Sequence, residues 1–299
     1  MGYIGRFAPS PSGPLHLGSL VAAVASYLHA RIAGGQWLIR IEDIDPPREA
    51  PQASRQILET LAAFELHSDQ DILFQSRHFE NYLEIANKLL ASGQAYRCSC
   101  SRQDIRHAGR VTPVGYRYPG TCRTRTIHEQ PTAVRVRANQ ALGSFQDELQ
   151  GTCRYNIDAT TGDYVIFRND GLPAYHLAVV LDDARQGITH IARGYDLLAT
   201  TGLHIHLQQT LGLPIPKYAH FPVVVNTAKQ KLSKRTGAKA VLPEDARRLA
   251  PEILRYLGAD PPKSLCGRNP YHLWAWASKI WNPALLRGKA KLLESTDNG

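Results

Sequence analysis

Four groups of residues in this chain have the types and spacing to do chemistry. The first is the stretch from Arg6 to Ser19, Arg-Phe-Ala-Pro-Ser-Pro-Ser-Gly-Pro-Leu-His-Leu-Gly-Ser. A short strand pattern, Tyr3 to Arg6, runs into it, and an apolar-periodic helix pattern, Ser19 to Ala30, runs out of it. A strand, a turn stiffened by Pro and Gly, and a helix start aim backbone N–H groups and the positive end of a helix at one point, where an anion fits. Gly18 leaves room for a flat base or ribose against the helix start. His16 adds a donor beside the phosphate. A tight strand–helix connection with a buried His explains the same residues equally well on spacing alone.

The second group is a set of charged residues at strand ends. The pattern Trp37 to Ile41 reads as a buried parallel strand that must stop at Pro46-Pro47, so Glu42 sits at its carboxyl end. A carboxylate there suits a substrate ammonium group. Arg193, just before Gly194, ends a later strand on the same rim as Arg6. Two guanidinium groups facing one crevice suit a dicarboxylate, since each forms a fork with a carboxylate. Tyr175, at a helix start, adds a hydroxyl. The bland alternatives are surface ion pairs for the charges and a core position for the tyrosine.

The third group is the lysine-rich segment from Lys229 to Lys239, with Lys231 and Lys234 at its centre. A cation that tightens on phosphates as charge builds favours a transition state over the ground state. Read alone, the segment is a solvated basic loop. The fourth is Cys98-Ser-Cys100 with Cys122, which suits a closed zinc site that needs one more ligand. His107 is the nearest candidate by residue type. Cys153 reads as a buried bystander.

These groups need a scaffold. The 299 residues are 43% apolar, enough for one large domain or two modest ones. The formal charge of +9 suits a polyanionic partner such as RNA. No run is long and apolar enough for a membrane span, no signal peptide is expected, and Arg6 stands where a myristoylation motif needs Ser or Thr. Five cysteines argue for metal or free thiols in a reducing cytoplasm rather than a disulfide framework.

Strand and helix patterns alternate over 1–96, with helices at Ser54–Phe64 and Phe79–Ser92. The stripe of the second is set by Tyr82, Leu83, Ala86 and Leu90. From 97 to 159 the texture becomes rich in Gly, Pro, Arg and Cys, and Val134 to Arg137 alternates as an exposed strand. Strand and helix patterns resume over 160–228. The expected fold is α/β: a doubly wound parallel nucleotide-binding sheet in two halves, 1–96 and 160–228. An inserted α+β zinc-bearing subdomain takes 97–159, and the lysine loop with a small helical part takes 229–299. Ligands of such sheets bind beyond the carboxyl ends of the strands. A monomer is expected.

Two segments resemble the signatures of class I aminoacyl-tRNA synthetases: His16-Leu-Gly18-Ser19 and Lys231-Leu-Ser-Lys234-Arg235, in that order and roughly 215 positions apart. The Arg6 to Gly13 stretch, Arg40-Ile-Glu-Asp-Ile-Asp-Pro-Pro-Arg48 and Asp170-Gly-Leu-Pro-Ala-Tyr175 resemble the glutamyl/glutaminyl subgroup. Up to about residue 240 the chain is similar to the truncated paralogues of glutamyl-tRNA synthetase that act on queuosine. Roughly 64 residues follow Arg235, so no anticodon-reading domain is expected.

The resemblance implies that Arg6, Phe7, Ala8, Pro9, Ser10, Glu42, Tyr175 and Arg193 bind glutamate. It implies that His16, Gly18, Ser19 and Lys234 bind ATP, with His16, Gly18, Lys231 and Lys234 serving catalysis. It places Tyr118, rather than His107, with Cys98, Cys100 and Cys122 around a structural zinc. The implied reaction uses ATP and Mg2+ to form glutamyl-adenylate. Glutamate then passes to the queuosine base in the anticodon loop of tRNA(Asp).

Overall fold

The computed structural model describes residues 2–127, 131–226 and 239–293. β1 (Ile4–Phe7) leads through the Pro/Gly turn to α1 (Leu17–Ile32) and then to β2 (Gln36–Ile41), parallel to β1 with Arg6 opposite Leu38. The apolar-periodic pattern from Ser19 to Ala30 predicts one apolar face, but α1 is buried on nearly every side between Leu20 and Ala30. A helix apolar all round has to be covered all round.

α2 (Ala53–Ala63) follows, and β3 (Leu73–Phe74) extends the sheet beside β2. α3 (Phe79–Ala91) crosses to β4 (Ala95–Cys98), the edge of a second sheet. Next come α4 (Arg102–Ala108) and a small hairpin, β5 (Val111–Thr112) with β6 (Gly115–Tyr116). β7 (Ala133–Val136) is the centre of the second sheet. β8 (Leu142–Asp147) and β9 (Gly151–Asn156) form a hairpin, and one turn of helix, α5 (Ile157–Thr160), leads to β10 (Tyr164–Phe167), which completes the second sheet antiparallel to β7.

α6 (Tyr175–Arg185), β11 (His190–Gly194), α7 (Thr201–Thr210) and β12 (Lys217–Phe221) return to the first sheet. Then come β13 (Val223–Val225), α8 (Ala246–Tyr256), α9 (Pro270–Ile280) and β14 (Lys291–Leu293), the last parallel to β13.

β11 and β12 are parallel, and β8 joins them where Asp147 faces Tyr218. Thr189 ties β11 to β1: its N–H donates to the Ile4 carbonyl at 2.9 Å, and its Oγ1 accepts from the Ile4 N–H at 2.8 Å. The strand order is therefore β3-β2-β1-β11-β12. It reverses between β1 and β11, and at such a reversal the carboxyl ends of the strands open a crevice.

The second sheet has its own core, with Tyr82, Ala86 and Leu89 of α3 against Val134, Val136 and Ile166. The stripe of α3 is rotated from the expected one: Leu83 is exposed and Leu89 is buried. β7 is also not an exposed strand. Its arginine alternation misleads because Arg135 is buried, with its guanidinium 3.9 Å over the Tyr118 ring and its Nη1 donating to the Asp163 carbonyl at 2.9 Å. The two tail helices pack on the first core, where Trp274 Nε1 donates to the Phe64 carbonyl and Trp281 Nε1 to that of Leu257. Among the described residues no helix is long and apolar enough to cross a membrane.

Candidate active site at the sheet reversal

A pocket of about 290 Å³ opens at the carboxyl ends of β1, β2 and β11. Arg6 and Phe7 end β1, and the loop beyond supplies Ala8, Pro9 and Ser10. Glu42 lies one residue past β2, held there by its N–H donating to the Pro9 carbonyl at 3.0 Å. Arg193 and Gly194 end β11, and Tyr175 is the first residue of α6. His16, Gly18 and Ser19 line the other end, at the start of α1. Every residue assigned from sequence to glutamate, and every described residue assigned to ATP, lines this one pocket. Lys231 and Lys234 lie outside the described residues. A Cβ at Gly194 would sit 2.5 Å from Asp196 Oδ1 and 3.3 Å from Val223 Cγ1, so a larger residue there would push the Asp196 side chain aside.

The floor is a buried ionic cluster. Arg6 Nε donates to Asp183 Oδ1 at 3.0 Å, and Arg40 reaches the same oxygen at 2.8 Å. Arg40 also lies 3.8 Å from Glu42 and donates to Gln186. Ser10 donates to Glu42 Oε2 at 3.4 Å. Burial penalises the Asp183 carboxylate, but Arg6 and Arg40 outweigh it and hold its pKa low. For Glu42 burial dominates over the two arginines, and Asp183 and Asp182 add to it, so its pKa rises to about 7. Asp182, behind this pair, has Arg185 Nε at 3.6 Å. Glu42 has the longest contacts of the cluster, Arg40 at 3.8 Å and Ser10 at 3.4 Å, which suits a ligand that brings an ammonium group.

The two arginines differ in what they have left to offer. Among the described residues Arg6 is bonded through Nε. Arg193 is bonded through all three nitrogens: Nε to His220 Nε2 at 3.0 Å, Nη1 to His204 Nδ1 at 3.2 Å, and Nη2 to Thr201 Oγ1 at 2.8 Å and the Leu197 carbonyl at 3.3 Å. Behind it, His220 Nδ1 donates to Asp147 Oδ2 at 2.6 Å. Burial and the Arg193 charge keep His204 well below its ordinary pKa, and burial likewise lowers His220.

At the other end His16 caps α1: its Nδ1 accepts from the Ser19 N–H at 3.2 Å, and its Nε2 lies 3.0 Å from Ser19 Oγ. His16 also pairs with Ala240, and the Val241 N–H donates to the Leu15 carbonyl at 2.8 Å. Val223 and Val224 line the pocket as well. The described residues on either side of the 227–238 segment therefore both reach this site.

Cys98, Cys100 and Cys122 bring their sulfurs within 4.8 Å of one another. Cys100 and Cys122 are 3.5 Å apart, close to the ~3.8 Å edge of a tetrahedron with zinc–sulfur bonds of about 2.3 Å. The Tyr118 hydroxyl lies 3.3 Å from Cys98 Sγ and 3.8 Å from Cys100 Sγ. Burial raises the Cys122 thiol, but bonds from Tyr118, Ser99 and the neighbouring thiols bring it down to about 7. The three thiols are compatible with zinc, while burial raises the Cys100 thiol and the Tyr118 phenol above their ordinary range. His107 is exposed on α4 and is not in the cluster. Cys153 is half-buried on β9, away from the three, and all five cysteines are free thiols.

Sequence reading missed Arg40, Asp183, Asp147, His204 and His220. The detectable signals were a charge within an apolar strand run, at Arg40, and two adjacent acids on the apolar side of a helix, at Asp182 and Asp183. Asp147 and His220 carried no local signal, because they meet only when β8 pairs with β12.

Comparison with known proteins agrees with this fold. The family described as tRNA synthetases class I (E and Q), catalytic domain, matches residues 4–252. A glutamyl-Q tRNA(Asp) synthetase of Thiobacillus denitrificans is 49% identical over 281 residues, 93% of each chain. One from Pseudomonas aeruginosa is 44% identical over 292 residues, 98% of each chain. The fold is similar to that of a glutamate-tRNA synthetase from Elizabethkingia anophelis, with a TM-score of 0.79 and 24% identity over 99% of this chain and 69% of that one. The chain therefore belongs to the class I tRNA synthetases of the glutamate and glutamine type, within the glutamyl-Q tRNA(Asp) synthetase branch.

Proposed function

We propose that this pocket joins glutamate to ATP and that the chain passes the activated glutamate to queuosine in the anticodon loop of tRNA(Asp). The relatives' name supplies the acceptor. The observation that carries the reading is the meeting of five distant segments around one pocket. They bring the guanidiniums of Arg6 and Arg193, the carboxylates of Glu42 and Asp196 and a capped helix start. The glutamate carboxylate attacks the α-phosphate, pyrophosphate leaves, and glutamyl-adenylate remains. Glu42, with Ser10, holds the ammonium group. Arg6 turns its terminal nitrogens to a carboxylate as a fork, while Arg193 adds charge and its one remaining N–H.

The helix start at Gly18 and Ser19, with His16, takes the phosphates. Lys234, flanked by Lys231, supplies the cation, and Mg2+ would offset the charge of the phosphates. Cys98, Cys100, Cys122 and Tyr118 would hold a zinc that ties together the module carrying β4 and α4. A tetrahedral site with four protein ligands is closed and therefore structural.

Glutamate-dependent ATP–pyrophosphate exchange tests the first step. Glutamine should be activated roughly 30- to 1000-fold less efficiently, because a neutral amide leaves a desolvated guanidinium poorly paired, at a cost of about 2–4 kcal/mol. Equal exchange with both amino acids would sink the assignment. Labelled glutamate should map to an anticodon-loop fragment of tRNA(Asp) carrying queuosine; label at the 3′ end would make the chain a conventional charging enzyme.

The metal gives a further prediction. Freshly purified protein should hold about one zinc per chain, as a single four-ligand site requires. Cys122→Ser should lose it and expose the 99–132 region to protease while ATP binding persists. A metal-free but fully active and protease-resistant protein would exclude the zinc.

A further inference from the structure

A larger groove, about 1390 Å³, adjoins the first pocket, and Ser10, Ser12, Glu42 and Tyr175 line both. His176 and Tyr164 belong to its wall. His176 Nδ1 lies 3.0 Å from His204 Nε2, and His204 Nδ1 is the atom bonded to Arg193. The proton positions along this line follow without ambiguity. A guanidinium only donates, so His204 Nδ1 must accept. Neutral His204 then carries its proton on Nε2 and donates it to His176 Nδ1. His176 in turn carries its proton on Nε2. Burial together with the Arg193 charge keeps His176 neutral, at about 4. Its ring is boxed by Tyr164, Tyr175 and His204 at centroid distances of 6.1, 5.5 and 5.2 Å. Among the described residues its hydrogen bond is the one to His204.

We propose that His176 presents Nε2–H to the larger groove as a fixed donor that holds an oxygen of the acceptor nucleoside beside the activated carboxyl group. This rests on the two-step reading above. Arg193 sets the tautomer from the glutamate side, so one guanidinium orients the amino acid and, through His204, the donor that meets the acceptor. Because Nε2 already carries a proton, His176 orients the acceptor's hydroxyl and does not deprotonate it. A neutral, pre-oriented donor suits a hydroxyl oxygen of a nucleoside better than a phosphate, which would call for a cation.

Two rates on the same preparations decide this: glutamate-dependent ATP–pyrophosphate exchange, and transfer of labelled glutamate from preformed adenylate to queuosine-containing tRNA(Asp). His176→Phe keeps the ring and removes the donor; His176→Gln places an amide N–H near Nε2. Transfer by His176→Phe should fall about tenfold or more beyond any fall in exchange, as loss of a well-placed hydrogen bond predicts. His176→Gln should recover most of that difference. Equal falls in both rates would overturn the proposal, since His176 would then only prop Arg193. Transfer unaffected in His176→Phe would overturn it as well. Thermal melts of both variants identify unfolding, in which case the Gln variant alone, compared with His176→Asn, decides. Failure of exchange in the unmodified protein would instead strike the two-step reading itself.

Discussion

Glu42→Gln should raise the KM for glutamate by about tenfold to a hundredfold and at the same time stabilise the protein above neutral pH. The first effect follows from losing a charge-assisted bond to the ammonium group, about 1.5–3 kcal/mol. The second follows from the burial of Glu42. Its carboxyl titrates near 7 in the folded chain and near 4.5 otherwise. Between those values the folded form keeps a proton that the unfolded form has lost. Stability therefore falls as pH rises from about 4.5 to about 7, by about 3 kcal/mol in total. Glutamine has no proton to lose, so its stability curve lacks the fall. Denaturant unfolding at pH 5 and pH 8 checks this, and an identical pH dependence in both proteins would refute it. The same protonation makes glutamate binding by the unmodified enzyme weaken about tenfold for each pH unit well below 7.

Asp147→Asn should weaken glutamate use about 5- to 150-fold with little change in the KM for ATP, although Asp147 is not among the residues lining the pocket. Asp147 Oδ1 accepts the N–H groups of Leu149, Gln150 and His220, and Oδ2 accepts from His220 Nδ1. In the variant the amide oxygen stays with the three backbone donors, and the NH2 faces His220. His220 must then accept at Nδ1 and carry its proton on Nε2, pointing it at Arg193 Nε–H. A buried donor left facing a donor costs about 1–3 kcal/mol, which sets the range. Steady-state kinetics with glutamate and ATP varied separately tests the split. Equal loss in both would show that Asp147 merely holds the fold.

The legible part of this site was the part written at strand ends. Arg6, Glu42, Arg193 and the His16 turn each sit where a local pattern stops, and stopping patterns are visible in sequence. The fold class was legible for the same reason, since apolar runs alternating with helical stripes leave few arrangements. The supporting layer was not. Asp147 reaches Arg193 only through His220, and the two lie 73 positions apart on strands that pair in the folded sheet. Arg135 looked solvated because an apolar–arginine alternation has the same period whether water or the Tyr118 ring covers it. Tyr118 rests on resemblance, because nothing in a single tyrosine marks it out from a core residue, and by type His107 is the natural choice; the fold puts the Tyr118 hydroxyl, and not His107, beside the thiols.

The helix α1, whose start lines the pocket, is enclosed by the sheet together with α8 and α9, whose Leu249, Ile253, Leu273 and Trp274 share its core. During synthesis its outer face stays bare until residues 246–280 have left the ribosome. A chain made from its amino end folds its early parts first, and exposed apolar surface invites association in the interval. This protein therefore cannot finish the α1 end of its pocket early. Nascent chains stalled before Pro270 should be trapped by holdase chaperones, and competence for ATP should appear late and abruptly along the length of the message.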